Sequence, residues 1–283
     1  LPGPGGGIRL WHMSTESGRA GWDIRRAGPE GAGRRVLMLP GGMCTTEFYA
    51  DLMAEPALAD AGLGMVAVTL PGFGRTPPPE DLTMENYARL MGEFAAEAGC
   101  DVLVGHSMGA NVAIEMAAAG VFSGPVVLLS PTFSRRDEAK FLEVMDHVGR
   151  VPGLGPLAWA AMMKTLPRAM KRELPPERAD VLAADLGRND PRFCRRSVRR
   201  YYEYLDRHGS LVARLCDSGV PAWVVRGDRD EIGLAEEELQ GLRACSRVTM
   251  VTVPDAGHMA LVEQPARIAE VIVEAAGAGP GRG

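Results

Sequence analysis

Gly105-His106-Ser107-Met108-Gly109 is the stretch on which the reading of this chain turns. The five residues spell G-x-S-x-G. Before them, Asp101-Val102-Leu103-Val104 is a short apolar run rich in β-branched residues, which reads as a buried strand. After them, Ala110 to Gly120 is Ala-rich with apolar residues at helical spacing, which reads as a buried helix ending at Gly120. A serine on a sharp strand-to-helix turn needs neighbours without side chains two residues to either side, and Gly105 and Gly109 supply them. Such a turn lifts the Ser107 hydroxyl off the sheet at the N-terminus of the following helix. There, free N–H groups and the helix dipole favour a developing negative charge. Ser107 is therefore the candidate nucleophile.

A serine hydroxyl is a weak nucleophile alone and needs a base, which in turn needs an orienting acid. The base is expected late, after the last core strand. Arg247 to Val253 reads as that strand, followed by Pro254-Asp255-Ala256-Gly257-His258-Met259. Of the five histidines (12, 106, 147, 208 and 258) only His258 follows a core strand at this place, ahead of a C-terminal helix from Pro265 to Ala275. The acid is expected after the preceding strand, Pro221 to Arg226, in the turn Gly227-Asp228-Arg229-Asp230-Glu231. Asp230 is preferred because the chain turns at Gly227 and then presents the carboxylate. Asp228 reads as a turn residue bonding nearby backbone N–H groups. A rival acid position after the strand Val126 to Ser130 is weak, since no carboxylate follows until Asp137.

The order Ser107, Asp230, His258 resembles that of the α/β-hydrolase superfamily, of the capped kind that includes small esterases, lactonases and carbon–carbon bond hydrolases. The resemblance also rests on Leu39-Pro40-Gly41-Gly42-Met43 after the strand Val36 to Leu39, and on Pro71-Gly72-Phe73-Gly74 after Met65 to Leu70. It implies a mostly parallel, doubly wound α/β sheet with an inserted helical cap. It also implies an oxyanion hole built from the Met108 amide and the Gly42 amide, with Met43 as the near alternative. Relatives usually read His-Gly-x in that loop. Here Pro40 stands in the histidine's place and fixes its own φ instead. A serine rather than an aspartate at the elbow sets the chain apart from the epoxide hydrolases and dehalogenases of this fold, and suits attack at a carbonyl.

The remaining sequence fixes the organisation. A chain of 283 residues, 46% of them hydrophobic, has enough material for one large α/β core and an insertion. Residues 13–130 and 220–276 read as two parts of the core. Residues 131–219 read as the cap: they have helical periodicity, punctuation at Pro152, Pro156, Pro175-Pro176 and Pro191, and no convincing strand. Residues 1–12 are expected to be a cloning-derived or disordered segment, with native translation starting at Met13. A net charge of −5 gives no reason to expect nucleic-acid binding, and no apolar run is long enough to cross a membrane. Five scattered cysteines suit a reducing cytoplasm better than a disulfide framework. No metal or other cofactor is expected, since no metal-binding motif is visible.

Charge is unevenly shared. Residues 131–219 hold 17 Lys and Arg against 12 Asp and Glu, while the remainder carries ten more acidic than basic residues. Arg192, Arg195, Arg196, Arg199 and Arg200 fall at helical spacing on one face. That stripe reads either as a solvated or ion-paired surface or as a docking face for an anionic or carrier-bound substrate, with Tyr201, Tyr202 and Tyr204 adjoining it. The cap's Met145, Leu154, Leu157, Trp159, Met162, Met163, Leu166 and Met170 are candidates for packing or for an apolar pocket. The expected substrate contacts are Met43, His106, Met145, Trp159, Met163 and Met259. The function expected is hydrolysis of an ester, lactone or thioester of a small molecule through an acyl-enzyme. The alternatives are cleavage of a carbon–carbon bond beside a ketone, and a slow-turnover ligand receptor on the same scaffold.

Overall fold

The structure, a computed structural model, describes residues 21–29 and 31–278. The segment 1–12 lies outside the described residues. Seven strands form one sheet: β1 Ile24–Ala27, β2 Arg34–Leu39, β3 Leu63–Val68, β4 Val102–His106, β5 Val126–Leu129, β6 Ala222–Gly227 and β7 Val248–Val253. Their order across the sheet is β1-β3-β2-β4-β5-β6-β7. Every pair is parallel except β1 with β3.

The strands are near-continuous apolar runs because both faces of the sheet are covered. Leu37, Leu39, Val66, Val68, Leu103, Val126, Leu128 and Val224 face one side. There they meet the helices α1 (Met84–Ala98) and α2 (Met108–Ala118). Val36, Met38, Met65, Ala67, Val102, Val104, Val127, Leu129 and Val225 face the other side, against a long C-terminal helix introduced below. The two sets alternate along each strand, as a period of two requires. The antiparallel β1 has no counterpart in the sequence reading. Its four residues, IRRA, carry two arginines at the sheet edge and give no apolar alternation to read.

Between β5 and β6 the described chain forms helices and no strand. The main ones are α3 Lys140–Gly149, α4 Leu154–Met170, α5 Pro176–Leu186 and α6 Pro191–His208. Pro176 and Pro191 stand in the first turns of α5 and α6, where proline's missing N–H costs no hydrogen bond. The Asp190 side chain caps α6 by accepting from the Phe193 N–H at 2.7 Å. Beyond the insertion lie α7 Glu236–Ala244 and α8 Pro265–Ala278, the latter packed on the second face of the sheet.

The insertion is tied to the core by charge as well as by apolar contact. Glu115 on α2 is 3% exposed, a burial that an unpaired carboxylate could not sustain. Arg214, in the short helix Val212–Asp217, meets it with Nη2 at 2.6 and 2.7 Å and Nε at 3.0 Å, and Tyr204 Oη of α6 donates to it at 2.8 Å. Arg178 of α5 reaches Glu47 at 2.7 Å and Asp51 at 2.9 Å. Removing one partner of a buried pair leaves the other charge stranded. Arg214→Met should therefore lower the unfolding free energy by about 2–4 kcal/mol in urea titrations, while Arg199→Met on the exposed face should change it by less than about 0.5 kcal/mol.

Candidate active site

β4 ends at His106, and the chain reverses through Ser107 into α2. Ser107 takes φ 50° and ψ −122°, a conformation that L-residues rarely adopt. It is held there from both sides. Its N–H donates to Leu129 O at 2.8 Å, and its carbonyl accepts from Ala110 N at 2.8 Å and Asn111 N at 3.1 Å. The flanking glycines are required by contact. A Cβ on Gly105 would lie 2.6 Å from Ala110 Cα, and one on Gly109 would lie 2.6 Å from Pro40 O. Gly41 has the same role from the other loop, since its Cβ would meet His106 Nδ1 at 2.9 Å and Ser107 Cβ at 3.2 Å. The loop after β2 is thus pressed onto the serine turn.

That loop brings backbone amides to the site. Among the described residues, the N–H groups of Gly42, Met43 and Met108 donate to no protein acceptor. A Cβ on Gly42 would touch Met108 Sδ at 3.3 Å, so the two segments adjoin. Met43 sits at φ 68°, and its carbonyl accepts from Asn189 Nδ2 at 2.7 Å. Asn189 Oδ1 in turn accepts from Gly74 N at 2.9 Å. This buried asparagine, between α5 and α6, bridges the two loops beside the serine. Sequence reasoning missed it, because a lone Asn before Asp-Pro reads only as helix punctuation.

His258 lies on the loop after β7, and Asp230 on the loop after β6. The His258 Nδ1–H donates to Asp230 Oδ1 at 3.1 Å, and the Ile232 amide donates to the same oxygen at 3.0 Å. The Asp230 side chain is fully buried. Burial alone would raise its carboxyl, but the hydrogen bond and charge of His258, with help from the Ser130 hydroxyl and the Ile232 amide, hold it below the usual value. Asp228 does something else: its Oδ1 accepts from Ala256 N at 3.2 Å and ties the acid loop to the histidine loop. Glu263 steadies the same loop by accepting from Gly257 N at 3.0 and 3.1 Å. It carries no motif that the sequence would disclose. Ser107 Oγ makes no hydrogen bond to His258 among the described residues.

His106 is buried behind this loop instead of lining an open pocket. Its Nε2 stands 3.0 Å from the His258 carbonyl, an acceptor, so Nε2 carries the proton and donates. Nδ1 is buried without a partner. Burial first, and the neighbouring His258 second, push its pKa down to about 3, so His106 is neutral through the working range. The other expected substrate contacts divide between the two apolar clusters, with Met145, Trp159 and Met163 in the one that holds Met108 and Phe73. Met259 is buried in the core on the α8 side, and Met43 packs against both core clusters. Met145, Trp159 and Met163 are buried within the insertion, where Trp159 Nε1 donates to Met145 O at 3.0 Å. Leu154 and Leu157 are 54% and 69% exposed, so neither belongs to an internal pocket. They occupy the outward face of α4. No group of three or more His, Cys, Asp or Glu side chains placed to hold a metal occurs among the described residues, and no helix there is long and apolar enough to cross a membrane.

The sequence profile of the alpha/beta hydrolase family matches residues 36–271, and the chain belongs to that family. Comparison with curated proteins finds no significant match. Among solved structures, the chain is similar to a thermophilic esterase from Thermogutta terrifontis at 23% identity and a TM-score of 0.70, covering 89% of this chain and 92% of that one. It is also similar to E-2-(acetamidomethylene)succinate hydrolase at 19% identity and a TM-score of 0.69, covering 91% and 95%. A haloalkane dehalogenase from Bradyrhizobium elkani aligns at 17% identity and a TM-score of 0.70, covering 96% and 100%. At these identities the likeness concerns the fold, and its range of chemistries leaves the reaction to be argued from the site.

The His106 arrangement has a pH consequence. A histidine whose folded pKa lies below its unfolded value stabilises the fold fully above the unfolded value, near 6.5, and loses that contribution as pH falls toward about 3. His106→Gln should therefore flatten the dependence of unfolding free energy on pH between about 6 and 4, by up to about 1.4 kcal/mol per pH unit, in denaturant titrations at stepped pH. An unchanged slope would mean that His106 is already protonated or solvated in the folded state.

Proposed function

We propose that this protein is a serine hydrolase that transfers the acyl group of an ester, lactone or thioester to water. The observation that carries the reading is the strained Ser107 turn at the head of α2, set on the same sheet edge as the hydrogen-bonded His258–Asp230 pair. The three residues come from loops following β4, β7 and β6, which is where an open α/β sheet presents ligands.

The chemistry follows from the roles. Asp230 fixes the proton of His258 on Nδ1, which leaves the Nε2 lone pair free to take the Ser107 proton. The serine oxygen then attacks the substrate carbonyl carbon. The carbonyl oxygen becomes an oxyanion, stabilised by the free amides of Met108 and Gly42, with Met43 the neighbouring alternative. Collapse of this intermediate expels the alcohol or thiol, which leaves with the proton held by His258. Water repeats the sequence on the acyl-enzyme and releases the acid. This step requires Ser107 Oγ to come within hydrogen-bond reach of His258 Nε2, a kind of contact that tightens in the substrate complex. The helical insertion serves as a cap that limits water around the intermediate.

Turnover of p-nitrophenyl esters of increasing chain length, with labelling by a fluorophosphonate, tests the reading directly. Ser107→Ala should abolish labelling and cut turnover by several decades with the fold intact. Asp230→Asn should lower kcat by about 10³–10⁴-fold. Asp228→Asn keeps an oxygen acceptor for Ala256 N and should cost far less. If Asp228→Asn proved the more damaging, the acid would be Asp228.

Asn189 gives a further expectation from the same geometry. Asn189→Ala frees the Met43 carbonyl and loosens the loop that supplies an oxyanion donor. It should lower kcat by about 10-fold with little change in KM, less than the 10²–10³ lost with a donor itself. A rise in KM alone would place Asn189 in substrate binding instead.

A further inference from the structure

The arginine stripe of α6 is divided in the folded protein. Arg199 and Arg200 share Glu203, at 3.1 and 2.6 Å, and stand on the exposed face. Arg192, Arg195 and Arg196 instead line a groove of about 790 Å³ together with Arg75 from the loop after β3 and Arg188 from the end of α5. Five arginines from three chain segments therefore line one concavity, and among the described residues Asp190 is its one lining carboxylate. Arg188 is paired with Asp185 at 3.0 Å, and Arg195 Nη1 donates to Gly149 O at 2.8 Å. Arg75, Arg192 and Arg196 have no hydrogen-bond or ion-pair partner among the described residues.

We propose that this groove is a binding site for the diphosphate or triphosphate group of a small-molecule ligand. Three features select that chemistry. First, the local cationic surplus is several charges, which one carboxylate cannot match and a di- or triphosphate can. Second, the described lining cations are all arginine, whose planar fork binds phosphate oxygens in pairs and whose weak hydration suits a partly enclosed site. Third, the volume falls in the range of small-ligand pockets, about 300–1,000 Å³. A nucleic acid would need a basic track beyond the groove, yet outside residues 131–219 the chain carries ten more acidic than basic residues.

The groove lies one aromatic layer from the oxyanion loop. Phe193 lines it, packs on Gly72 and meets Phe73 edge-on at 5.1 Å between centroids. Phe73 in turn approaches Gly42, whose Cβ would come within 3.9 Å of it. A phosphate-bearing ligand seated there would lie against the wall of the candidate active site. The proposal is independent of the hydrolase reading, and its test is binding.

The experiment is calorimetric titration of the full-length Ser107→Ala protein with pyrophosphate and inorganic triphosphate, at low and at physiological ionic strength. Triphosphate should bind more tightly than pyrophosphate, and both should weaken with salt, which screens exposed charges over about 8 Å at 0.15 M. Arg192→Gln combined with Arg196→Gln should weaken triphosphate binding by about 10- to 100-fold, the loss expected for charge-assisted hydrogen bonds. Arg199→Gln combined with Arg200→Gln removes the same charge outside the groove and should change affinity by less than about twofold, since only the diffuse field is altered. Thermal melts of both pairs, unchanged from the parent, keep folding out of the comparison. The proposal is overturned by no measurable triphosphate binding, by equal loss in the two double variants, by citrate binding as tightly as triphosphate, or by heparin or single-stranded DNA using the same arginines with higher affinity.

Discussion

The packing of the loop after β2 against the serine turn is the constraint on which the rest of the site depends. Gly109 has no space for a side chain because the Leu39 and Pro40 carbonyls pass through it, and Gly41 has none because His106 and Ser107 occupy it. With these glycines the turn closes, Ser107 takes a positive φ, and Gly42 comes to lie against the Met108 side chain. The cost of the strained serine is met by the hydrogen bonds into the flanking β5 and α2, which leave its backbone no alternative. Any larger residue at 41 or 109 would push the loop and the serine turn apart, so backbone packing fixes the geometry of the site before any side chain takes part.

Much of this was legible in the sequence, and for a physical reason. A parallel sheet buried on both faces must be written as short apolar runs, and a sharp strand-to-helix turn must be written with glycines. The runs at Val102, Val126, Ala222 and Val248 and the G-x-S-x-G between them therefore carried the fold and its family. What escaped was held by single side chains from distant segments. Asn189 and Glu263 act by bonding backbone, a role open to any polar residue in a loop and one that no spacing announces. The edge strand β1 escaped because its arginines break the alternation. His106 directly precedes Ser107 in sequence, which by itself does not say which way its side chain turns. Strand alternation turns it to the other side, where it clamps the carbonyl of His258.

The surplus positive charge of the insertion also resolves into distinct parts. Its ion pairing to the acidic core is real, but it runs through Arg178, Arg207 and Arg214, each from a different helical segment, to Glu47 and Asp51, Glu85, and Glu115. None of these belongs to the stripe that periodicity picked out. Helical spacing says which residues share a face. It does not say which neighbours that face will meet, and α6 meets two different environments along its length. Its first turns border a groove, and its later turns face solvent and their own Glu203.

The similarity of one backbone to an esterase, a succinate-derivative hydrolase and a dehalogenase shows how little of the chemistry the sheet itself determines. What differs between an enzyme that attacks a carbonyl and one that attacks saturated carbon is the atom at the top of the turn, together with the groups aimed at the charge it creates. In this chain that atom is a hydroxyl oxygen, which in the proposed reaction needs a base, and the amides of Gly42 and Met108, without protein acceptors among the described residues, would suit an oxygen that gains negative charge. A carboxylate nucleophile would need no base for its first step. The buried, hydrogen-bonded Asp230 behind His258 would then have no proton to organise while the bond forms. The pairing of a hydroxyl with an oriented imidazole fits the proposed attack at a centre that accumulates charge on oxygen, and it is this arrangement of Ser107, His258 and Asp230, more than any single resemblance, on which the hydrolase proposal rests.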